Sequence, residues 1–390
     1  MLPAERRASA SLALIFALRM LGLFLVLPVF ALEAAKYPGG DDPALVGLAM
    51  GIYGLTQGLL QIPFGMASDR FGRKRVIIIG LVIFAAGSLL AAAAPTLPWL
   101  LAGRALQGAG AVSAAVTALL ADLTRDSVRT KAMALVGASI GLVFALSLVV
   151  APPLAAAIGL SGLFALTGVL AFAGIGVVLW GVPPVPSQTS PNRSGMRQVL
   201  ADSGLLRLNL GVFVLHAVQL AMWVAVPTLL VQAGLAKGAH WQVYLPAVLL
   251  SFAVMGAVFA MERRGKLRAV FLVSIGLILI AQLGFSWLGQ KDMDNLGIWP
   301  LAGLLLVFFC GFNALEATQP SLVTRIAPAA ARGAALGVYN TLQSLGFFVG
   351  GAAGGWLVKG WGPQGLFTGC ALAMALWLAV AWGMRVPAKA

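Results

Sequence analysis

The chain has 390 residues, of which 60% are hydrophobic and 10% are charged, and its mean hydropathy is +0.96. This composition excludes a soluble globular protein, because a soluble fold of this length cannot bury so much apolar surface. The 26 Lys and Arg residues outnumber the 12 Asp and Glu residues, which gives a net charge of +14. A nucleic-acid-binding protein would gather such charge on one soluble domain, and the sequence predicts no such domain.

Twelve apolar stretches, each of about 20 residues or more, follow one another along the chain, so the sequence predicts membrane-spanning helices. The expected fold is an all-α integral membrane protein with twelve transmembrane helices in two six-helix halves. The predicted helices cover residues 10–34, 44–66, 76–94, 98–121, 131–157, 160–182, 205–232, 241–260, 268–289, 298–323, 332–357 and 363–384.

The Lys and Arg residues lie mainly on one side of these predicted helices. Twenty of them fall in the termini and in the loops on the side of the termini, against Lys36, Lys237, Lys291 and Lys359 on the opposite side. Because an excess of cations marks the cytoplasmic side, both termini are expected in the cytoplasm.

A polar stretch at 183–204 divides the chain and is expected to be a cytoplasmic linker between residues 1–182 and 205–390. The two halves resemble each other weakly, since Pro28 in FLVLPVF corresponds to Pro227 in WVAVPTL. Two six-helix halves in parallel repeat are typical of a transporter with a central cavity.

The turn GMASDRFGRKR at 65–75 is unusually charged for this chain. Its glycines permit a tight turn, and its cations favour the cytoplasmic headgroup region. Asp69 is expected to pair either with a nearby Arg or with a helix N-terminus, and in the second case it would act as a latch near Arg332. The expected cytoplasmic gating motif consists of Gly65, Asp69, Arg70, Gly72, Arg73, Lys74, Asp122 and Arg129.

Charged side chains inside the predicted helices are candidates for function, because a charge near the middle of the bilayer is costly. Arg104 lies one turn from Gln107, and it either has a function or ties helices together through carbonyl groups. Glu316 lies one turn from Asn313, and it either carries a proton or stays neutral and hydrogen-bonded. Desolvation favours protonation of such a carboxylate, and a nearby cation opposes it.

Uncharged polar and aromatic side chains supply a second set of candidates. Tyr53, Gln57 and Gln61 recur at every fourth position, so they form one stripe that either lines a cavity or holds helices together. The residues expected to line a substrate cavity are Tyr53, Gln57, Gln61, Gln107, Gln219, Trp223 and Asn313. The sequence predicts no metal site.

The pattern Gly65-x-x-x-Asp69-Arg70-x-Gly72-Arg73-Lys74 resembles the signature loop of the major facilitator superfamily. The fourth predicted helix, with LAGRALQGAGA at 101–111, resembles the corresponding motif in the drug:proton antiporter branch of that superfamily. Similarity to bacterial members of this branch extends over essentially all twelve predicted helices. The fifth helix departs from the branch pattern, because Ala151 precedes Pro152 where the branch has glycine.

This resemblance implies a secondary active transporter, and not an enzyme, that works by alternating access. It implies proton-coupled export of lipophilic or amphiphilic molecules; the alternative is a proton-coupled or facilitative carrier of a sugar, metabolite or lysolipid. Since the first, fourth, seventh and tenth helices line the cavity in this family, Arg19 and His216 join Arg104 and Glu316 as expected proton-coupling residues.

The same resemblance implies a location in the bacterial inner membrane. The expected partners are a small-molecule substrate, protons and membrane lipids, with no nucleic acid, and the protein is expected to be a monomer. No cofactor is expected beyond the proton gradient. Some relatives carry a small cytosolic domain after the last helix, which this sequence, ending at Ala390, is expected to lack.

Overall fold

A computed structural model describes residues 1–183, 196–291, 296–328 and 331–384, so most of the predicted linker lies outside the described residues. The described part is helical and contains no strand. Its α-helices are α1 (Pro3–Ala34), α2 (Pro43–Phe71), α3 (Arg73–Ala92), α4 (Leu97–Ala109), α5 (Ser113–Asp122), α6 (Asp126–Gly176), α7 (Met196–Ala201), α8 (Ser203–Gln232), α9 (Trp241–Arg263), α10 (Leu267–Leu288), α11 (Trp299–Ile326) and α12 (Arg332–Trp382). A π-helical turn, Val177–Gly181, continues α6.

Ten helical stretches in the described residues are long and apolar enough to cross a membrane. Two of them, Lys131–Gly181 and Arg332–Trp382, have 51 residues each, whereas one span needs only about 20. Each contains a glycine with non-helical backbone angles, Gly159 at φ 66° and Gly362 at φ 65°. Only glycine adopts such a positive φ readily, so the helix breaks there. Divided at these glycines, the ten stretches become twelve, with breaks where the sequence predicted loops.

The fourth span differs from the prediction of one continuous helix over 98–121. In the structure α4 ends at Ala109 and α5 begins at Ser113. Gly110 leaves the helical conformation, with φ −75° and ψ 53°. It also lies so close to α3 that an added Cβ would be 2.3 Å from the carbonyl oxygen of Gly80. The span itself is present as Leu97–Asp122, but its continuity was predicted wrongly. The break follows from this tertiary contact, and hydropathy does not detect such a contact.

The chain forms two compact units. The first contains Met1–Asp41 and Ile52–Asn192, and the second contains Asp42–Gly51 and Arg193–Ala390. In the first unit α1 packs against α6, and α3 packs against α4 and α6. In the second unit α8 packs against α12, and α10 packs against α11 and α12. The helix pairing of the second unit therefore repeats that of the first.

The segment Asp42–Gly51 packs against α12 within the second unit, although the predicted division places it in the N-terminal half. Glycines make this contact possible, because a Cβ on Gly47 would lie 2.3 Å from the carbonyl oxygen of Gly351. A Cβ on Gly355 would lie equally close, at 2.3 Å, to the carbonyl oxygen of Pro43. Small residues at such positions let two helix backbones approach closely in a membrane.

Candidate functional site

Arg19 lies in the interior of the first unit with only 2% of its surface exposed. Its guanidinium donates hydrogen bonds to Ser113 Oγ (2.8 Å), to the Tyr53 hydroxyl (2.7 Å) and to Gln57 Oε1 (3.1 Å). It also lies 5.5 Å from the centre of the Phe84 ring. All of these partners are uncharged, and Nε of Arg19 has no acceptor among the described residues. Arg19 thus ties α1 to α2 and α5 through neutral groups.

Arg104, on α4, is 1% exposed and lies against the same tyrosine. Its guanidinium is 5.1 Å from the centre of the Tyr53 ring and donates to Gln107 Oε1 at 3.0 Å. Gln107 in turn donates from Nε2 to Ser88 Oγ on α3, at 2.8 Å. Two buried guanidinium groups therefore contact Tyr53. That of Arg19 binds the tyrosine hydroxyl, and that of Arg104 lies near the tyrosine ring.

The polar stripe on α2 is buried in the first unit. Tyr53 and Gln57 both bind Arg19, and the side chain of Gln61 is 1% exposed. Of the two roles considered for this stripe, holding helices together is visible in these hydrogen bonds. A role in lining a substrate cavity stays a prediction.

In the second unit His216, on α8, lies next to Glu316, on α11. His216 is 1% exposed, and its Nε2 is 3.2 Å from Oε1 of Glu316. The amide nitrogen of Gln343, on α12, is 2.6 Å from the same Nε2, and Nδ1 lies 2.9 Å from the carbonyl oxygen of Val212. This pattern fits a neutral imidazole that donates from Nδ1 and accepts at Nε2.

The contact between His216 and Glu316 has the distance of an ion pair but not the geometry of a hydrogen bond. The Glu316 side chain is 37% exposed, so it is less enclosed than the imidazole.

The position of Gln343 beside His216 was not predicted from the sequence. The signal lies in the spacing of Tyr339, Gln343 and Phe347, which recur at every fourth position on one face of α12. The Phe347 ring stands edge-on to His216 with the ring centres 4.9 Å apart. Tyr339 lies 3.5 Å from Gln319.

The remaining predicted cavity residues of the second unit lie in two places. Asn313 donates from Nδ2 to Ser251 Oγ on α9 at 2.7 Å, so this amide links α11 to α9. Gln219 and Trp223 lie one turn apart on α8 and are 4% and 3% exposed. Trp223 stands edge-on to Tyr244 on α9, with the ring centres 5.6 Å apart.

At the turn between α2 and α3, Arg73 joins two acidic side chains. It forms an ion pair with Asp69, donates from Nε to Asp122 Oδ2 at 2.9 Å and donates to Ser68 Oγ at 2.7 Å. Of the two partners expected for Asp69, the described contact is the nearby Arg. Gly72 supports the turn with a φ of 96°, a conformation that favours glycine.

The other residues of the predicted gating motif have individual contacts. Lys74 donates to the carbonyl oxygen of Val182 at 2.5 Å. The Arg70 guanidinium lies 5.4 Å from the centre of the Phe71 ring, and an added Cβ on Gly65 would make ordinary contact with Ala114. The side chain of Arg129 lies outside the described residues.

A second ion pair at this end of the first unit was not predicted. Arg125 lies between α5 and α6 and donates to both carboxylate oxygens of Glu5 at 2.7 and 3.2 Å. This hydrogen bonding raises the pKa of Arg125 above its usual value. The start of α1 is thereby fixed to the turn that follows α5.

The sequence is similar to those of known bacterial transporters. It is 43% identical over 393 residues to the inner membrane transport protein YajR of Escherichia coli, covering 99% of this chain and 85% of that protein. It is 26% identical over 358 residues to the multidrug resistance protein MdtH of Salmonella typhimurium, covering 87% of this chain and 83% of that protein.

Comparison of structures gives the same fold. The crystal structure of an autoinhibited peptide transporter of the POT family superposes with a TM-score of 0.73 at 13% sequence identity, over 98% of each chain. The family model described as Major Facilitator Superfamily matches residues 12–351 and 261–390. These findings confirm the predicted family, and the chain belongs to the Major Facilitator Superfamily of multi-pass membrane transporters.

Proposed function

We propose that this transporter couples proton movement to the export of lipophilic or amphiphilic small molecules. The observation that carries the proposal is the contact between Glu316 and His216, two titratable side chains 3.2 Å apart within membrane-spanning helices. Intramembrane carboxylates and imidazoles of this kind form proton relays in pumps and transporters. The similarity to a relative named for multidrug resistance supports the choice of substrate.

In this mechanism Glu316 is the group that gains and loses the transported proton. When Glu316 is ionised, a protonated His216 stabilises it; when Glu316 is protonated, a neutral imidazole leaves no charge beside it. The charge of the second unit's interior therefore changes with each proton. A change in charge alters the relative stability of two access states, because the states solvate that charge differently.

Arg19 and Arg104 have a different role in this mechanism, since guanidinium groups keep their proton at physiological pH. They supply a constant positive charge and cannot carry the transported proton themselves. At the turn between α2 and α3, Arg73 with Asp69 and Asp122 would hold the cytoplasmic gate. We further propose that the protein is a monomer in the bacterial inner membrane, surrounded by lipid, with both termini in the cytoplasm.

Flux measurements in proteoliposomes test the proposal. The full chain is reconstituted with pyranine trapped inside to report internal pH, and a pH gradient is imposed in each direction. Ethidium, an amphiphilic cation, and deoxycholate, an amphiphilic anion, serve as probes. Probe movement against the proton flow supports export by antiport. Movement with the proton flow would indicate symport, and movement that ignores the gradient would indicate a facilitative carrier.

A further inference from the structure

We propose that the Arg19–Tyr53–Arg104 cluster of the first unit binds an anionic group, so that the preferred substrates are amphiphilic anions such as carboxylates and sulfonates. The inference rests on the proposed function for the premise that amphiphiles are transported. It goes beyond that function by assigning the charge of the substrate and the residues that recognise it.

Arg19 is buried without a full set of hydrogen-bond acceptors among the described residues. Its side chain is 2% exposed, and its three hydrogen bonds reach a serine, a tyrosine and a glutamine. The Nε–H group is buried and has no acceptor among the described residues. A buried charge is stable only when it is paired, and a buried donor requires an acceptor. An anionic ligand supplies both, whereas a cationic ligand supplies neither.

The acidic side chains of the first unit do not pair with Arg19 in the described structure. Several of them contact other cations instead. Glu5 binds Arg125, Glu33 binds Lys36 at 2.5 Å, and Asp122 binds Arg73. None of these carboxylates contacts Arg19, so the positive charge at Arg19 has no carboxylate partner among the described residues of the unit.

Tyr53 contacts two guanidinium groups. Its hydroxyl accepts from Arg19, and its ring faces the guanidinium of Arg104 at 5.1 Å. Two positive charges on one tyrosine repel a cation and attract an anion. The ring centres of Phe30, Phe84 and Phe164 lie within 6.0 Å of the guanidinium of Arg19 or of Arg104, so apolar surface adjoins the positive charge. An amphiphilic anion matches both features.

A pair of probes with the same shape and opposite charge tests this inference. Tetraphenylborate and tetraphenylphosphonium are titrated into the full-length protein in nanodiscs, binding is measured by isothermal titration calorimetry, and the signal from empty nanodiscs is subtracted. We expect tetraphenylborate to bind at least about tenfold more tightly. We expect Arg19→Gln to weaken tetraphenylborate binding by about tenfold and to leave tetraphenylphosphonium binding within about twofold.

Two further variants show whether the positive charge at position 19 is responsible for the binding of the anion. Arg19→Lys keeps the positive charge and should keep the preference for the anion, with a smaller margin because lysine lacks the planar fork of arginine. Arg264→Gln removes an exposed cation from the turn before α10 and should leave both affinities unchanged. Equal or tighter binding of tetraphenylphosphonium to the wild-type protein would overturn the inference, and so would unchanged tetraphenylborate binding in Arg19→Gln.

The binding experiment needs no proton gradient, so it tests the inference separately from the proposed function. If the protein prefers the anion but a pH gradient drives neither ethidium nor deoxycholate, the proposed function is wrong and the inference stands. If a pH gradient drives ethidium and the protein shows no preference for the anion, the inference is wrong and proton-coupled export stands.

Discussion

Oε1 of Glu316 lies 3.2 Å from Nε2 of His216, although the two residues belong to different helices, α11 and α8. The same Nε2 faces the amide nitrogen of Gln343 at 2.6 Å. The imidazole therefore stands between a group that donates a hydrogen bond and a group that can gain or lose a proton. In the proposed mechanism, the charge of Glu316 changes when the transported proton binds and leaves.

We predict that Glu316→Gln keeps the protein folded in the membrane but abolishes the ability of a pH gradient to drive transport. Glutamine is similar in size to glutamate and cannot ionise, so its charge no longer changes with pH. Exchange of substrate between the two sides should persist, because it requires no net proton movement. Flux of deoxycholate in proteoliposomes, with and without a pH gradient, measures both properties.

Asp41→Asn is the matched control, since it makes the same acid-to-amide change at an exposed position before α2. It should behave like the wild-type protein in both assays. Wild-type gradient-driven flux in Glu316→Gln, with an unchanged dependence on pH, would remove Glu316 from the coupling mechanism.

We predict that Arg104→Ala abolishes transport and that Arg104→Lys restores only a fraction of it. The guanidinium of Arg104 donates to Gln107 while its plane lies near the ring of Tyr53. A lysine ammonium keeps the charge but cannot reproduce a planar, multiply bonded arrangement. Initial rates of flux at matched protein amounts in the vesicles measure the effect. Full activity in Arg104→Lys would show that charge alone is required.

The positions of most helices could be predicted because apolar stretches and charged turns mark them directly in the sequence. The break between α4 and α5 could not, because it depends on the approach of Gly110 to Gly80 on another helix. The packing of Asp42–Gly51 within the second unit was equally hidden, since it depends on which glycines face each other across α2 and α12.

Some features of the candidate site could likewise be predicted from the sequence, and others could not. Charges within apolar helices, such as Arg19 and Glu316, stood out because the surrounding sequence is apolar. The contacts of Arg19 with Ser113 and of His216 with Gln343 did not, because uncharged polar residues are common in membrane helices. The three-dimensional pairing of such residues depends on helix rotation, which hydropathy alone does not determine.

We predict that the Arg73–Asp122 pair contributes more to stability than the Arg73–Asp69 pair. The side chains of Arg73 and Asp122 are 15% and 13% exposed, whereas Asp69 is 32% exposed and better solvated. A double-mutant cycle with Arg73→Ala and Asp122→Asn should give a coupling energy of about 0.5–3 kcal/mol. The cycle with Asp69→Asn should give a smaller value. Reversible unfolding in mixed detergent micelles provides the free energies, and equal coupling in the two cycles would contradict the prediction.

We predict that the Asp42–Lys359 ion pair stabilises the protein near neutral pH and not in acid. Asp42 accepts from Lys359 Nζ at 2.9 Å and from the backbone N–H of Ala44, and these bonds lower the pKa of Asp42 below its usual 3.8. A carboxyl group with a lower pKa in the folded state stabilises that state above its unfolded pKa, and the contribution disappears as the pH falls through the folded pKa. Asp42→Asn should therefore lower Tm near pH 7 but leave it unchanged once the pH lies well below about 3.8.

Asp41→Asn changes the neighbouring exposed acid and serves as the control for Asp42→Asn. Thermal unfolding in detergent, followed by tryptophan fluorescence over a series of pH values, gives the comparison. A Tm difference between Asp42→Asn and the wild-type protein that stays constant from neutral to acidic pH would show that the ionised carboxylate is not responsible.

We predict that Gly351→Ala destabilises the protein, whereas Gly337→Ala on the same helix does not. A Cβ at Gly351 would lie 2.5 Å from the carbonyl oxygen of Gly47, so the two helices would have to separate. Such overpacking costs about 1–3 kcal/mol. Gly337 has nothing within 4 Å of an added Cβ, and replacing glycine by alanine inside an open helix stabilises it by about 0.5–1 kcal/mol. Thermal unfolding in detergent should thus lower Tm for Gly351→Ala and leave it equal or higher for Gly337→Ala. If both variants shifted Tm in the same direction and by the same amount, the close approach of α2 and α12 would not explain the effect.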